Sequence, residues 1–231
     1  MKYCSTIISY NSAPLTERVY GELKEGKKHD IFVVENSSSE EKMFKGADVI
    51  DLGRNNLGYG GCCDFIFSDS QFRRYDFVGI LNNDIFNIPP AYIEILEQYM
   101  LSDVGMLSSS IKEGGSSWKQ MIQRGEGDYR DVLHIETIAT YFNTKLFDEF
   151  CKYIPTDYYG ILDIAFSAVS DSMGFKNRVV DAAAICHMLS GGREMAGKKE
   201  EYLVNNSKTY AEWMARCPAL NTLCQTFLKK L

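Results

Sequence analysis

Runs of apolar residues alternate with polar segments through the first half of the chain, and this alternation predicts buried strands separated by helices. The strands are predicted at residues 3–10, 30–35, 48–52, 77–84 and 104–109. The helices are predicted at 13–24, with Ser12 expected as the N-cap, in a short polar segment ending at residue 44, and at 62–72 and 90–101. Strand–helix–strand units join parallel strands through right-handed crossovers, so the pattern predicts an α/β fold with a mostly parallel central sheet flanked by helices.

The second half of the chain is less regular. Residues 112–130 contain four glycines and many polar residues, and a loop of this length in a compact domain is usually functional or disordered. Strands are predicted at 134–141 and from 177 to 181 or 186, and helices at 144–153, 160–173 and 207–231. No linker divides the chain, so we expect a single domain over residues 1–231 with a helical carboxyl-terminal tail.

The central strand, 77–84, is an apolar run that ends in Asn82, Asn83 and Asp84. A run of this kind is typical of a strand buried on both faces. In open α/β sheets, ligands bind at the carboxyl ends of the strands. A carboxylate there is a ligand for a divalent cation, which in turn binds a diphosphate. The alternative is a strand followed by an ordinary polar turn.

Three further features have both a functional and a structural interpretation. The glycine-rich segment 55–61 precedes a helix, where it either approaches an anionic ligand or forms a plain turn. Asp163 lies among apolar residues and is either a capping group or a base with a raised pKa. His187 follows an apolar strand and precedes a glycine pair, and it is either a metal ligand or a structural histidine.

Composition excludes several classes of protein. The formal net charge of −6 argues against a general nucleic-acid binder. The odd number of cysteines, seven, without a Cys-x-x-Cys pair, predicts reduced thiols in a cytosolic protein. No run of 18 apolar residues is present, so a membrane-spanning helix is not expected, although a peripheral helix remains open. The first strand ends without a glycine fingerprint, which disfavours a Rossmann-type oxidoreductase.

Four segments in series closely resemble the family 2 glycosyltransferases, in particular the bacterial branch of rhamnosyl- and other polysaccharide-building transferases. They are Ile-Ile-Ser-Tyr-Asn (7–11), Val-Val-Glu-Asn-Ser-Ser (33–38), Asn-Leu-Gly-Tyr-Gly-Gly (56–61) and Leu-Asn-Asn-Asp (81–84). The resemblance covers residues 3–192. It implies the GT-A fold, with a nucleotide-binding half at 1–110, an acceptor and catalytic half at 111–192 and a tail at 193–231.

The resemblance also implies an activity. The protein would move a sugar from a nucleotide diphosphate sugar, with UDP or dTDP as the expected nucleotide, to a hydroxyl of a glycan or lipid-linked acceptor, with inversion at the anomeric carbon. This reaction would serve bacterial surface polysaccharide synthesis. Mg or Mn would be bound by Asp84 and His187. The residues expected to bind the nucleotide sugar are Ser9, Tyr10, Asn11, Glu35, Asn56, Gly58, Asn82 and Asn83.

In this family a Glu-Asp pair opens a helix, and its Asp is the general base. The pair aligns with Leu162 and Asp163, so Asp163 is the expected base and Asp157 the alternative. Ala165 and Val169 replace the next acid and a helical arginine of the family pattern. These departures leave open a non-catalytic nucleotide-sugar binder or scaffold subunit on the same fold.

The remaining expectations concern partners and location. The 112–130 loop with its Trp118 is expected either on the acceptor side, as a stacking face or lid, or as an ordinary exposed loop. The resemblance implies a cytoplasmic protein, with peripheral contact at the inner face of a membrane as the alternative. Lys229 and Lys230 belong either to a membrane-facing helix or, as we expect, to an ordinary packing helix. The sequence does not specify the oligomeric state.

Overall fold

The computed structural model describes residues 1–36, 39–46, 48–53, 56–112, 115–116, 118–125, 127–153, 162–188, 211–212 and 214–231. The strands are β1 (Tyr3–Ser9), β2 (Asp30–Glu35), β3 (Val49–Asp51), β4 (Phe77–Asn82), β5 (Ile85–Phe86), β6 (Val104–Ile111), β7 (Tyr129–Val132), β8 (Ala139–Asn143) and β9 (Lys176–His187). The helices are α1 (Ala13–Lys24), α2 (Gly58–Ser68), α3 (Tyr92–Glu97), α4 (Phe147–Tyr153), α5 (Asp163–Ser172) and α6 (Pro218–Leu228), and a 3₁₀ turn (Thr144–Leu146) precedes α4.

The strands form one mixed sheet in the order β3-β2-β1-β4-β8-β6-β9-β5, and β7 pairs with β9 outside this path. Strands β1 to β4 are parallel to one another, as the strand–helix alternation predicts. Strand β8 lies antiparallel between β4 and β6. Strand β9 is parallel to β6 and antiparallel to β5 and β7. The α/β fold with a central sheet is therefore confirmed, and the second half of the chain supplies its antiparallel strands.

An aromatic cluster fixes the helices of the second half against the sheet. Phe67 of α2 packs against Phe150 of α4, with ring centroids 5.1 Å apart, and against Phe166 of α5 at 5.7 Å. Phe142 of β8 packs edge-on against Phe166 at 5.3 Å. Aromatic pairs at such distances add about 0.5–1.5 kcal/mol each beyond their area burial. This cluster determines where α5, and therefore Asp163, lies relative to the sheet.

Two elements of the first half differ from the prediction. The prediction of a short polar helix ending at Phe44 is wrong, because the described residues 39–46 form turns. The Glu35 carboxylate accepts the Phe44 N–H at 3.0 Å and holds this segment. Helix α2 begins at Gly58 rather than near residue 62, and the Asn56 side chain accepts the Gly58 N–H at 2.9 Å at that end. The first turn of α2 is rich in glycine, which is typical of a loop. The sequence pattern therefore predicted the start of this helix too late.

Two further predictions in detail are corrected. The strand predicted at 134–141 is instead Ala139–Asn143, since the Ile138 N–H closes a tight turn onto the Glu136 carbonyl at 2.9 Å. Ser12 precedes α1 as expected for a capping residue, but its side chain makes no cap. Its hydroxyl donates to the Tyr10 carbonyl at 3.0 Å instead.

The carboxyl-terminal helix packs on the domain. Leu220, Cys224 and Phe227 of α6 are buried, and Lys230 forms a 2.6 Å ion pair with Asp171 of α5. This is the packing role expected for the tail. All seven cysteines are free thiols, as predicted. Within the described part of the chain, no helix has the length and apolar character needed to cross a membrane.

Candidate functional site

The carboxyl ends of three neighbouring parallel strands bring most of the predicted site residues together. Ser9 at the end of β1 is in register with Glu35 at the end of β2. On the other side of β1, Ile8 is in register with Asn82 at the end of β4. The polar residues that follow these three strands therefore meet at one edge of the sheet, which is the ligand-binding edge of open α/β folds.

Asp84 and His187 form the centre of this edge. A two-residue turn after β4 places Asp84 directly before β5, whose Ile85 is paired in register with His187 at the end of β9. The Met188 N–H also donates to the Asp84 carbonyl at 2.9 Å. As a result Nε2 of His187 lies 3.3 Å from Oδ1 of Asp84, although 102 residues separate these two residues in sequence.

The tautomer of His187 follows from its second ring nitrogen. Nδ1 lies 2.7 Å from the carbonyl oxygen of Gly115, and because a carbonyl only accepts, Nδ1 carries the proton. In the neutral ring the Nε2 lone pair then faces Asp84. Metal-binding histidines are commonly oriented by such a hydrogen bond to a backbone carbonyl. Burial lowers the pKa of His187, but the Asp84 carboxylate, the Gly115 hydrogen bond and the charge of Glu136 together outweigh burial, so the pKa is raised.

The donor set fits a divalent cation bound jointly by protein and ligand. One carboxylate oxygen and one imidazole nitrogen suit Mn or Mg better than a closed structural zinc site. Groups of three or more metal-binding side chains do not occur in the described ranges. A cation at Asp84 and His187 would therefore depend on the ligand for its remaining oxygen atoms, as ions that bind phosphates do.

Gly115 approaches His187 so closely that a larger residue does not fit. A Cβ atom at this position would lie 2.5 Å from Cγ2 of Ile111 and 3.2 Å from the carbonyl oxygen of His187. A side chain here would force the loop or Ile111 to shift, which would disturb the carbonyl that fixes the imidazole. This gives a role to one of the glycines in the 112–130 loop.

Two asparagines join the β2 end to the start of α2. The Asn36 side chain donates to Oδ1 of Asn56 at 2.8 Å and accepts the Leu57 N–H at 2.8 Å. The Asn56 oxygen also accepts the Gly58 N–H, and Gly58 has a φ of 66°, in the left-handed region that favours glycine. Asn56 and Gly58 therefore together form one wall of the site, at the start of α2. Asn36 is their partner, and the pattern of polar residues at strand ends did not identify it.

The residues predicted at the β1 and β2 ends fix a second wall. Glu35 is fully buried, and its carboxylate accepts the Phe44 N–H. Asn11, with a φ of 51°, accepts the Ser39 N–H on its side-chain oxygen at 3.0 Å. Both side chains hold segment 39–46 beside the strand ends. Tyr10 precedes Asn11 in the chain and is half-buried.

Ser9 and Asn83 face the protein interior rather than the edge. The Ser9 hydroxyl is fully buried and accepts a hydrogen bond from Thr16 of α1 at 2.9 Å. The Asn83 side chain donates to Ser12 at 2.5 Å and to Thr16 at 3.2 Å. Their contacts join the strand ends to the first turn of α1. Asn82, by contrast, is half-buried beside Asp84.

Asp163 opens α5, and its carboxylate holds Thr137. One carboxylate oxygen accepts the Thr137 N–H at 3.0 Å and also the Thr137 hydroxyl. The Thr137 carbonyl accepts the Tyr59 hydroxyl at 3.1 Å. Burial raises the pKa of Asp163 to about 7, although the Thr137 hydrogen bonds act in the opposite direction. A carboxyl group with such a pKa exchanges a proton near neutral pH.

Asp163 is connected to the Asp84–His187 pair through the turn that contains Thr137. The Asn82 N–H donates to the carbonyl of Ile138 at 2.9 Å, so this turn lies against the end of β4. Asp157, the alternative base, falls outside the described residues. Sequence reasoning missed Thr137 and Glu136 because it placed both inside a strand, and it missed Gly115 because a loop glycine carries no sign of its partner.

Comparisons with known proteins agree on the fold. No protein-family model matches the chain, and no curated protein matches it in sequence. Among solved structures, residues 1–349 of S. aureus TarS in complex with UDP superpose with a TM-score of 0.64 at 15% identity, covering 99% of this chain and 71% of that one. A mannosyltransferase from Pyrobaculum calidifontis, in complex with GDP-Man and Mn²⁺, gives 0.62 at 13% identity, covering 99% and 74%.

A third similar structure is GalNAc-T7 with UDP, GalNAc and Mn²⁺, with a TM-score of 0.63 at 10% identity over 81% of this chain and 43% of that one. This chain spans 60% of the chain in a further TarS 1–349 structure and 43% of the chain in a structure of TarS that is not limited to residues 1–349. Likeness at these identities establishes the fold. The chain therefore has the GT-A fold, in agreement with the expectation from its sequence.

Proposed function

We propose that this protein is a metal-dependent, inverting glycosyltransferase of the family 2 type, from the polysaccharide-building branch that includes rhamnosyltransferases. It transfers a sugar from a UDP- or dTDP-sugar to a hydroxyl of a glycan or lipid-linked acceptor in bacterial surface polysaccharide synthesis. The observation that carries this proposal is the Asp84–His187 pair, 3.3 Å apart at the carboxyl edge of the sheet. The nucleotide ligands of the similar structures, UDP and GDP-Man, support the donor class.

The residues around the pair divide the work of donor binding. Asp84 and His187 would hold Mg or Mn, which when bound supplies positive charge for the departing nucleoside diphosphate. The walls formed by Asn56 with Gly58, and by Asn11 with segment 39–46, would enclose the nucleoside. Glu35 acts by holding that segment in place, since its carboxylate is fully buried.

Asp163 is the proposed general base. An acceptor oxygen attacks the anomeric carbon, the bond from that carbon to the diphosphate oxygen breaks, and the acceptor proton moves to the Asp163 carboxylate. One displacement inverts the anomeric centre, and no covalent enzyme intermediate is formed. The pKa of about 7 leaves Asp163 able to take up a proton near neutral pH.

A non-catalytic nucleotide-sugar binder is the second candidate. Leu162, Ala165 and Val169 stand where the family pattern has two acids and an arginine, and all three are buried apolar residues of the α5 region. The release of nucleoside diphosphate from UDP- and dTDP-sugars with Mn²⁺ and a panel of glycan acceptors separates the two. The transferase releases nucleotide in an acceptor-dependent way, whereas a binder is stabilised by the same donors without turnover.

A further inference from the structure

Glu136 has no role in the proposed donor site and is not the proposed base. It lies close to both His187 and Asp163. Its charge interacts with the ring of His187 and with the carboxylate of Asp163. The residue after it, Thr137, is fixed by Asp163 through two hydrogen bonds. The backbone at Glu136 is therefore held at the site, while its side chain remains only half-buried.

One hydroxyl group joins Glu136 to Trp118. A carboxylate oxygen of Glu136, Oε2, accepts the hydroxyl proton of Ser116. The same Ser116 oxygen accepts the backbone N–H of Trp118 at 3.0 Å. Because the hydroxyl has one proton and an ionised carboxylate can only accept, the direction of both bonds is determined. The carboxylate and the tryptophan backbone are thus held relative to each other by a single atom.

The indole of Trp118 is supported on one side and open on another. Its ring packs against His134, with centroids 4.4 Å apart, and His134 is buried with 1% exposure. Trp118 itself is 37% exposed, among the largest apolar side chains at the surface of the described residues. A supported, exposed aromatic ring is suited to packing against the C–H face of a sugar, and a nearby carboxylate accepts hydrogen bonds from sugar hydroxyls.

We propose that Ser116, Trp118 and Glu136 form the acceptor subsite and that the group bound there is a sugar ring. The indole packs on the face of the ring, and Glu136 accepts a hydrogen bond from one of its hydroxyls. Ser116 positions both. The proposal rests on the proposed function, since it takes the Asp84–His187 pair as the donor side. It assigns the acceptor as a saccharide rather than a lipid alcohol or a protein side chain.

Tryptophan fluorescence tests the subsite directly. The sequence has two tryptophans, so a Trp213→Phe variant leaves Trp118 as its single indole. This variant is titrated, with UDP and Mn²⁺ present, with the methyl glycosides of glucose, galactose, N-acetylglucosamine and rhamnose. We expect a saturable change in fluorescence with at least one glycoside. Adding Glu136→Gln should weaken the binding of that glycoside at least tenfold. Glu149→Gln should leave the binding unchanged, since Glu149 is a carboxylate of α4 paired with Lys152.

Two results would overturn the proposal. One is the absence of a saturable response to every glycoside, and the other is equal affinity in the Glu136→Gln and Glu149→Gln backgrounds. The melting temperature measured with and without UDP and Mn²⁺ reports the donor side separately. If UDP stabilises the parent but no glycoside binds, only the acceptor assignment fails. If UDP does not stabilise the parent, the proposed function fails with it.

Discussion

Nε2 of His187 lies 3.3 Å from Oδ1 of Asp84, while the other nitrogen of the same ring donates to the carbonyl of Gly115 at 2.7 Å. A turn after β4, the last residue of β9 and a loop glycine thus define one small centre. The imidazole is oriented by groups of the protein itself. Preorganisation of this kind lowers the cost of binding, because little ordering remains to be done.

Replacing Gly115 tests that orientation. In Gly115→Ala the new methyl group would lie 2.5 Å from Ile111, so the loop must shift and the His187 hydrogen bond weakens. We expect the affinity for UDP in the presence of Mn²⁺ to fall about tenfold to a hundredfold, the usual effect of losing an outer partner of a metal ligand. Isothermal calorimetry measures this affinity.

Gly21→Ala is the matched control for Gly115→Ala. Gly21 lies within α1, and a methyl group added there would meet no other part of the protein within 4 Å. Alanine there should stabilise the protein by about 0.5–1 kcal/mol and leave UDP binding unchanged. Equal UDP affinity in the two variants would show that Gly115 does not orient His187.

Asp163 should impose a pH dependence on sugar transfer. A general base must be deprotonated, and burial raises the pKa of this carboxyl to about 7. We expect kcat to rise about tenfold per pH unit below 7 and to level off above it. Asp163→Asn should lower kcat by about 10²–10⁴-fold while UDP binding persists. Normal transfer by this variant would move the base to another residue.

Stability provides an independent check on the same carboxyl. Its folded pKa lies above the value of about 4 expected in the unfolded chain, so the native state binds more protons between pH 4 and 7. Its contribution to stability is complete below pH 4 and is lost as the pH rises through 7. Asp163→Asn removes this loss, so urea unfolding should show the variant gaining stability relative to the parent, by up to about 4 kcal/mol between pH 4 and pH 8.

His134 should make the protein sensitive to acid. Burial lowers the pKa of His134 to about 4, against about 6.5 in an unfolded chain. The unfolded state therefore binds more protons between these values, and stability is lost as the pH falls from 6.5 towards 4. We expect this group to account for about 2–3 kcal/mol between pH 7.5 and 4.5. Urea unfolding of His134→Phe should show a loss of stability over this pH range that is smaller than the parent's by the same amount. An equal loss in the two proteins would show that His134 is not the group responsible.

Two arginine–aspartate pairs should differ in their effect on stability. Arg130 binds both carboxylate oxygens of Asp181, at 2.7 and 3.1 Å, and Asp181 is only 3% exposed. Arg130→Met leaves that buried carboxylate without its charged partner and should cost about 3–5 kcal/mol. Arg73→Met, which breaks an exposed pair with Asp148, should cost less than about 1 kcal/mol. Urea unfolding of both variants measures the difference, and equal costs would contradict it.

The first half of the fold is predictable because local pattern and tertiary environment agree there. Strand β4 is an apolar run that is buried at every position from Phe77 to Leu81, so its composition reports its surroundings directly. The meeting of Ser9, Glu35 and Asn82 at one edge follows from parallel pairing alone. For these residues the order of elements is sufficient to predict their proximity.

The second half could not be predicted in the same way, because its local structure depends on distant partners. Thr137 and Ile138 have the composition of a strand, yet the Asp163 carboxylate and the Asn82 N–H hold them in a turn. Glu136 consequently becomes part of the site rather than of the sheet. The link between Gly115 and His187 likewise spans 72 residues, and periodicity carries no information about such a contact.

Binding of nucleoside diphosphate tests the central claim most directly. The melting temperature of the parent, Asp84→Asn and Asp103→Asn is measured with and without UDP or dTDP and Mn²⁺, where Asp103 is a surface carboxylate paired with Lys176. Ligand at about 100 times its Kd stabilises a protein by about 2.7 kcal/mol, or roughly 5–10 °C for a chain of this size. We predict such a Mn²⁺-dependent rise in the parent and in Asp103→Asn, and its loss in Asp84→Asn. An equal rise in all three proteins, or none in the parent, would contradict the assignment of this site.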